Sequence, residues 1–357
     1  MNILIIASRI IYGGGEKVIN WLANRLINDG HNVIYASSKV NLDYIEKLKK
    51  VGLYNKVGIV EYPYYLKKRD FLKYCKSFDK IYKDYEINLI IIFGGSLVEQ
   101  IIARRRGVKI LLSERCNPKS RSLLSRLLKK IQYHMADAYV FQTKEACHYY
   151  GNALENKSKI LPNPLIDELK SPIITDFRKE IVSVGRLSAE KNQLMLLKAF
   201  YISNLFTSYK LIFYGSGPAE DELKEFIKRH DLSDSVSIVK GKSNIIDLIN
   251  GASLFVLTSN NEGMPNALIE AMSMGILSIS TDCPIYGPRQ LINHGVNGFL
   301  TPIKDEKKLA KMMLYALSHP DANKIRKEAY KIREKLDPDM IYNQWKMLIE
   351  NFNKQSL

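Results

Sequence analysis

ASLFVLTSNNEGMPNALIEAMSMGILSIST, residues 252–281, reads as strand, turn, helix and strand in immediate succession. ASLFVLTS (252–259) and GILSIST (275–281) are continuous apolar runs, the pattern of strands buried on both faces. Between them Gly263-Met264-Pro265 marks a turn, and a helix is expected to start at Asn266. Strand, helix, strand is the unit from which parallel sheets covered on both faces are built.

The unit recurs in both halves of the chain. In the first half ILIIA (3–7), NVIYA (32–36), INLIIIF (87–93), VKILLS (108–113) and AYVFQ (138–142) read as strands, and 16–29, 66–85, 96–106 and 119–135 as helices. In the second half EIVSVG (180–185), YKLIFYG (209–215) and VSIVKG (236–241) precede the two strands quoted above. The pattern breaks near 151–178, where Gly151, Pro162, Asn163, Pro164 and Pro172 indicate the domain connection. The expected fold class is α/β, with two doubly wound domains facing a cleft. Their expected bounds are 1–165 and 166–340, with a C-terminal helix, 341–357, crossing back to the first domain.

A chain of 357 residues is long enough for two such domains, and its 46% apolar and 25% charged residues fit filled cores under a soluble surface. No apolar run approaches the roughly 20 residues needed to span a bilayer. MNILIIAS at the start reads as a buried strand and not a signal peptide. Cys75, Cys116, Cys147 and Cys283 form no C-x-x-C pair, which fits reduced cytosolic thiols and argues against a zinc site or a disulfide framework. The net charge of +16 is uneven: residues 1–165 hold 28 Lys and Arg against 14 Asp and Glu, which leaves +14 there and +2 in the remainder. Such a field implies an anionic partner: a membrane, a nucleic acid or a phosphorylated substrate.

Ligands of doubly wound sheets sit beyond the carboxyl ends of the strands. The special residues of this sequence fall there. SRIIYGGGEKV, with Gly14, Gly15 and Glu16, follows the first strand. SVGRLSAEKN, with Gly185, Arg186 and Lys191, follows the first strand of the second half. YGSGPAEDEL with Gly217, KGKSN with Gly241 and Lys242, and SNNEGMPNALIEA follow the next three. Arg186 offers a planar fork of donors and Lys191 a mobile point charge, a pair suited to a diphosphate; surface charge at a helix start is the plainer alternative. A helix starting at Asn266 aims its free N–H groups at the Gly263–Pro265 turn, an anion site. Glu262 precedes that helix and Glu270 lies about one turn inside it, and eight helical residues span roughly 12 Å. Two carboxylates flanking an anion site suit a ligand that is anionic at its centre and polyhydroxylic at both ends. A capping acid and a solvated helix glutamate are the plainer alternative.

Glu262-x7-Glu270 with its internal Gly-Met-Pro-Asn, together with Val184-Gly185-Arg186-Leu187 and Lys191-Asn192, resembles the retaining glycosyltransferases of the GT-B fold, family 4. Tyr12-Gly13-Gly14-Gly15-Glu16, Gly215-Ser216-Gly217-Pro218, Pro284-Ile285-Tyr286-Gly287-Pro288 and Asn297-Gly298-Phe299 are similar to the same family's pattern. The resemblance spans nearly the whole chain and implies two Rossmann-like domains. It implies that Glu270 holds the ribose hydroxyls, that Glu262 contacts the donor sugar, and that Gly263, Met264, Pro265 and Asn266 meet diphosphate and sugar through their backbone. Arg186 and Lys191 match the pair that stabilises the leaving diphosphate. The backbone near Gly241 and Lys242 is expected to contact the base, uracil by family frequency. Domain closure is expected to bring Gly14 and Gly15 to the donor. The implied reaction retains the anomeric configuration and uses no metal or other cofactor. Asp337-Pro338-Asp339, the sole D-x-D, reads as a helix cap followed by a helix-starting proline.

The sequence departs from the family after the fifth strand of the first domain, where a histidine is common. Leu112-Ser113-Glu114-Arg115-Cys116-Asn117-Pro118 stands there. Glu114 and Arg115 are expected either near the acceptor hydroxyl or in a structural role. His31, before the second strand, is expected to face solvent. RSLLSRLLKKIQYHM (121–135) places Leu124, Leu127, Leu128, Ile131 and Met135 at helical spacing among Arg121, Arg126, Lys129 and Lys130. With 62–83 and Arg104-Arg105-Arg106, it reads either as a core-facing helix with a basic outer face or as a surface for an anionic bilayer. The resulting expectation is transfer of a hexose or N-acetylhexosamine from a UDP-sugar to a glycan, lipid-pyrophosphate-linked, at the cytoplasmic side of the cell membrane. No nucleic-acid partner is expected, since no recognised binding module appears. A basic nucleic-acid-binding protein, a dinucleotide oxidoreductase and a GT-B epimerase or phosphorylase are the competing readings.

Overall fold

The computed structural model describes residues 1–7, 14–37, 58–61, 71–94, 97–115, 123–166, 176–240, 245–284 and 287–354. Its contacts divide it into two compact units, Met1–Ile166 with Pro338–Leu357, and Asp167–Asp337.

The first unit is built on seven strands: β1 Asn2–Ala7, β2 Asn32–Ser37, β3 Gly58–Glu61, β4 Leu89–Ile92, β5 Lys109–Glu114, β6 Ala138–Phe141 and β7 Ser158–Ile160. They form a parallel sheet in the order β3-β2-β1-β4-β5-β6-β7. Ile3, Leu4, Ile5 and Ile6 of β1 are fully buried, as a central strand covered on both faces requires. Helix Pro338–Lys354 returns to this unit and packs on helix Gly14–Asn28. Trp21 meets Tyr342 edge-on at 6.2 Å, and Arg25 pairs with Asp339 at 2.6 Å. Asp29 accepts hydrogen bonds from Lys346 at 2.9 Å and Tyr342 at 2.8 Å, and the Lys346 contact holds its carboxyl below the usual range. Pro338 opens the returning helix, where its missing N–H costs nothing.

The second unit has six parallel strands: β8 Arg178–Val184, β9 Lys210–Tyr214, β10 Val236–Val239, β11 Ala252–Leu257, β12 Ser278–Thr281 and β13 Phe299–Thr301. Their order is β10-β9-β8-β11-β12-β13. Succession runs outward to β10, then restarts on the other side of β8 with β11. The carboxyl ends of β8 and β11 are therefore the switch point at which such sheets place ligands. Leu196, Phe200, Phe213, Leu254 and Leu277 fill the core beneath them.

Three expectations change. The stretch 151–178 is not all connection: Asn152–Lys157 is a 3-10 turn and Ser158–Ile160 is the edge strand β7. His31 is half-buried, 3.5 Å from the N-terminal amine, and burial pushes its pKa down. Helix Leu123–His134 turns Gln132 and Tyr133 inward and leaves Leu127, Leu128 and Ile131 at 59%, 47% and 45% exposure, so these three do not face the core. Arg121 and the side chains of Leu123 and Leu124 lie outside the described residues, as do residues 62–70.

Trp345 is fully buried on the returning helix, 6.0 Å from Phe93. Trp345→Ala is expected to cost about 3–5 kcal/mol, the usual range for a buried aromatic. Urea unfolding monitored by far-UV dichroism checks this, and an unchanged midpoint contradicts the packing described.

Candidate functional site

The site is assembled from two loops of the second unit. The first leaves β8 at Gly185 and runs to helix Gln193–Ile202. Leu187, 1% exposed, anchors it in the core, and its amide donates to Ser216 O at 3.0 Å. Gln193 donates to Arg186 O at 2.9 Å and so closes the loop on itself. The second loop runs from β11 to helix Asn266–Ser273. Asn260 joins the two: its amide donates to Glu190 O at 2.8 Å and its side chain to Ala189 O at 2.9 Å. Thr258 Oγ1 donates to Lys191 O at 3.1 Å.

These bonds bring Lys191 and Glu262 together. Lys191 Nζ stands 2.5 Å from Glu262 Oε1, and the two side chains are 26% and 9% exposed. Ser259 Oγ donates to the same oxygen at 2.6 Å. Thr281 Oγ1, at the end of β12, donates to Ser259 O at 2.6 Å. Behind the pair Cys283 is fully buried; desolvation, with the charge of Glu262 adding to it, pushes its thiol up to about 12. Arg186 lies apart from this pair. It is largely exposed and faces Glu190 at 3.5 Å.

Close backbone approaches fix the rest of the rim. A Cβ on Gly215 would fall 1.9 Å from Gly185 O, and one on Gly217 2.2 Å from Leu187 O. A Cβ on Gly287 would fall 1.4 Å from Gly263 O, so only glycine lets that segment support the Gly263–Met264 turn. Met264 is buried, and Pro265 precedes the helix without a side-chain cap. Asn266 opens the helix, and Glu270 is half-buried on it.

In the first unit Gly14, Gly15 and Glu16 form the first turn of the helix after β1, and Gly15 is open to solvent. Glu114 is 5% exposed and accepts from Tyr150 at 2.8 Å and Tyr133 at 3.2 Å. Arg115 donates to Asn163 at 2.6 Å and Ser113 at 3.0 Å, and its guanidinium lies over Phe93 and Trp345. These contacts anchor both side chains within the first unit. Gly241, Lys242, Tyr12, Gly13, Cys116–118, Ile285 and Tyr286 lie outside the described residues. Ser259, Thr281 and Asn260 were not among the residues read from sequence; their one signal is their place in, or at the end of, strand-end segments.

Residues 167–332 match the family model of the glycosyl transferases group 1. This stretch of the second unit is similar to that family, and the chain is a glycosyltransferase. The chain is 26% identical over 341 residues to a Campylobacter jejuni GalNAc-alpha-(1->4)-GalNAc-alpha-(1->3)-diNAcBac-PP-undecaprenol alpha-1,4-N-acetyl-D-galactosaminyltransferase, covering 91% of each chain. It is 27% identical to an uncharacterized glycosyltransferase of Methanocaldococcus jannaschii, over 81% of this chain and 84% of that one. Among solved structures it is similar to Anabaena Alr3699/HepE in complex with UDP, with a TM-score of 0.82 and 18% identity over 98% of this chain and 100% of that one. The fold is therefore GT-B, with two Rossmann-like domains. The nucleic-acid, oxidoreductase and epimerase readings gain no support from these likenesses.

Gly287→Ala is expected to displace the Gly263–Met264 turn and to destabilise the second unit by about 1–3 kcal/mol, as overpacking against backbone does. A thermal melt of the variant beside wild type checks it; equal midpoints contradict the close approach.

Proposed function

We propose that this glycosyltransferase moves a hexose or N-acetylhexosamine from a UDP-sugar to a hydroxyl of a glycan acceptor, with retention at the anomeric carbon. The observation that carries this reading is the Lys191–Glu262 pair beside the start of helix Asn266–Ser273, at the switch point of the second sheet. A cation and N–H groups on one side suit a diphosphate, and a carboxylate suits sugar hydroxyls. The complex of Anabaena Alr3699/HepE with UDP-glucose, a structure of the same fold, supports the donor class. The undecaprenol diphosphate in the name of the Campylobacter relative supports a lipid-pyrophosphate-linked acceptor in surface polysaccharide or glycan assembly.

The proposed roles follow the geometry. Bond breaking at the anomeric carbon puts negative charge on the leaving β-phosphate. Lys191, Arg186 and the amides of Gly263–Asn266 stabilise that charge more in the transition state than in the ground state. Arg186 is exposed and its contact with Glu190 is long, so it is able to turn to the phosphate. Glu262 accepts from the donor sugar, and Glu270 accepts from the ribose hydroxyls. These cations do the work a bound metal would otherwise do, so the proposed reaction needs none. Gly185 and Gly217 shape the floor, Gly241 and Lys242 contact the base, and Gly14, Gly15 and Glu16 contact donor or acceptor. Glu114 and Arg115 support the first unit's strand ends. The exposed Leu127, Leu128 and Ile131, with Lys130 and Arg104–Arg106 in the same unit, support contact with the anionic face of a membrane on the cytoplasmic side. No described helix is long and apolar enough to cross one.

Calorimetric titration with UDP, GDP, ADP and NAD in EDTA tests the donor class. UDP is expected to bind in the micromolar range, and Glu270→Ala to weaken it about tenfold or more, the worth of a charge-assisted hydrogen bond. Unchanged UDP affinity in Glu270→Ala removes the ribose role, and preference for GDP changes the donor. Arg186→Ala with Lys191→Ala is expected to lower kcat by at least about a hundredfold, the order of losing preorganised charge stabilisation. Wild-type kcat in that double variant sinks the leaving-group assignment.

A further inference from the structure

We infer that Ser259 is a positioning residue of this site: its hydroxyl holds Oε1 of Glu262, so that Oε2 alone is offered to the donor's sugar. The inference rests on the donor-sugar role proposed for Glu262.

A carboxylate oxygen has two in-plane acceptor positions. On Oε1 of Glu262 both are taken, one by Lys191 Nζ at 2.5 Å and one by Ser259 Oγ at 2.6 Å. Among the described residues no hydrogen bond reaches Oε2. The carboxylate is therefore oriented from one oxygen and open at the other.

Ser259 is well placed to do this. It is fully buried, and it lies just beyond the end of β11. A serine hydroxyl has a single proton, and here it is committed to Glu262. The backbone of Ser259 is itself pinned, because Thr281 Oγ1 donates to its carbonyl at 2.6 Å and Thr281 is fully buried at the end of β12. The orientation of Glu262 is thus referred to two strand ends of the central sheet and not to a loop alone.

The arrangement matters most when the donor binds. Lys191 faces two anions in turn: Glu262 before binding and the diphosphate after it. As the ammonium turns toward phosphate, Oε1 loses its stronger partner. Ser259 is neutral, does not compete for phosphate and stays. Glu262 then keeps one partner and one orientation through the reaction, which is the condition for a hydroxyl contact that is worth more in the transition state.

The test uses Ser259→Ala in the full chain, with whichever of UDP-glucose, UDP-galactose and their N-acetyl counterparts the wild type turns over, followed by release of UDP. The expected result is a loss of roughly 10- to 100-fold in kcat, the range for a hydrogen bond to a charged group. KM for the donor and the affinity for UDP, which lacks the sugar, are expected to stay within about twofold, along with the melting temperature. Unchanged kcat overturns the inference. So does a parallel fall in UDP affinity and melting temperature, which assigns Ser259 to stability alone. Failure of the wild type to bind UDP or turn over any of the four donors overturns the donor reading itself, and the inference with it.

Discussion

One part-buried ion pair organises the second unit's rim. Lys191 comes from the loop after β8 and Glu262 from the loop after β11, and those two strands are neighbours at the point where the strand order reverses. Neither charge is stable in that position alone, since a buried ion without a partner loses its hydration for nothing. The pair therefore ties the two loops together, and the hydrogen bonds of Asn260 and Thr258 align the backbones so that it forms. Such a pair is a weak source of net stability but a strong constraint on geometry. A site that must receive a diphosphate needs a cation held in reserve, and a carboxylate is the natural place to hold it.

Backbone contacts carry the rest of the load. Three glycines stand where a single methyl group would meet a carbonyl oxygen: Gly215 against Gly185, Gly217 against Leu187 and Gly287 against Gly263. Each contact joins one strand-end loop to the next, so the rim is a chain of backbone supports running from β9 through β8 and from β12 to the turn before helix Asn266–Ser273. The first unit solves the same problem with side chains. Arg115 is wedged between Asn163, which lies just before the chain leaves that unit, and Trp345, which lies on the helix that returns to it.

Much of the fold was legible because parallel strands buried on both faces are continuous apolar runs, and ILIIA or ASLFVLTS cannot easily be anything else. The strands that went unread, β3, β7 and β13, are three or four residues long and sit at sheet edges, where neither length nor pattern gives a signal. In the site, Glu262, Lys191 and the start of the helix at Asn266 were readable from residue type and placement. That Lys191 pairs with Glu262 while Arg186 pairs with Glu190 was not, because loop conformation decides it. Ser259 and Thr281 were invisible for the same reason: a serine after a strand has many uses, and only the carboxylate beside it selects one. The spacing of Leu127, Leu128 and Ile131 was visible, but spacing alone does not say which side of a helix meets the core; Gln132 and Tyr133 took that place.

A crystal structure with the intact UDP-sugar that the enzyme turns over tests the central claim most directly. The account predicts Lys191 Nζ within hydrogen-bond distance of the diphosphate, Glu262 Oε2 on a sugar hydroxyl and Oε1 still on Ser259. A donor whose diphosphate avoids Lys191, or whose sugar lies beyond the reach of Glu262, contradicts it.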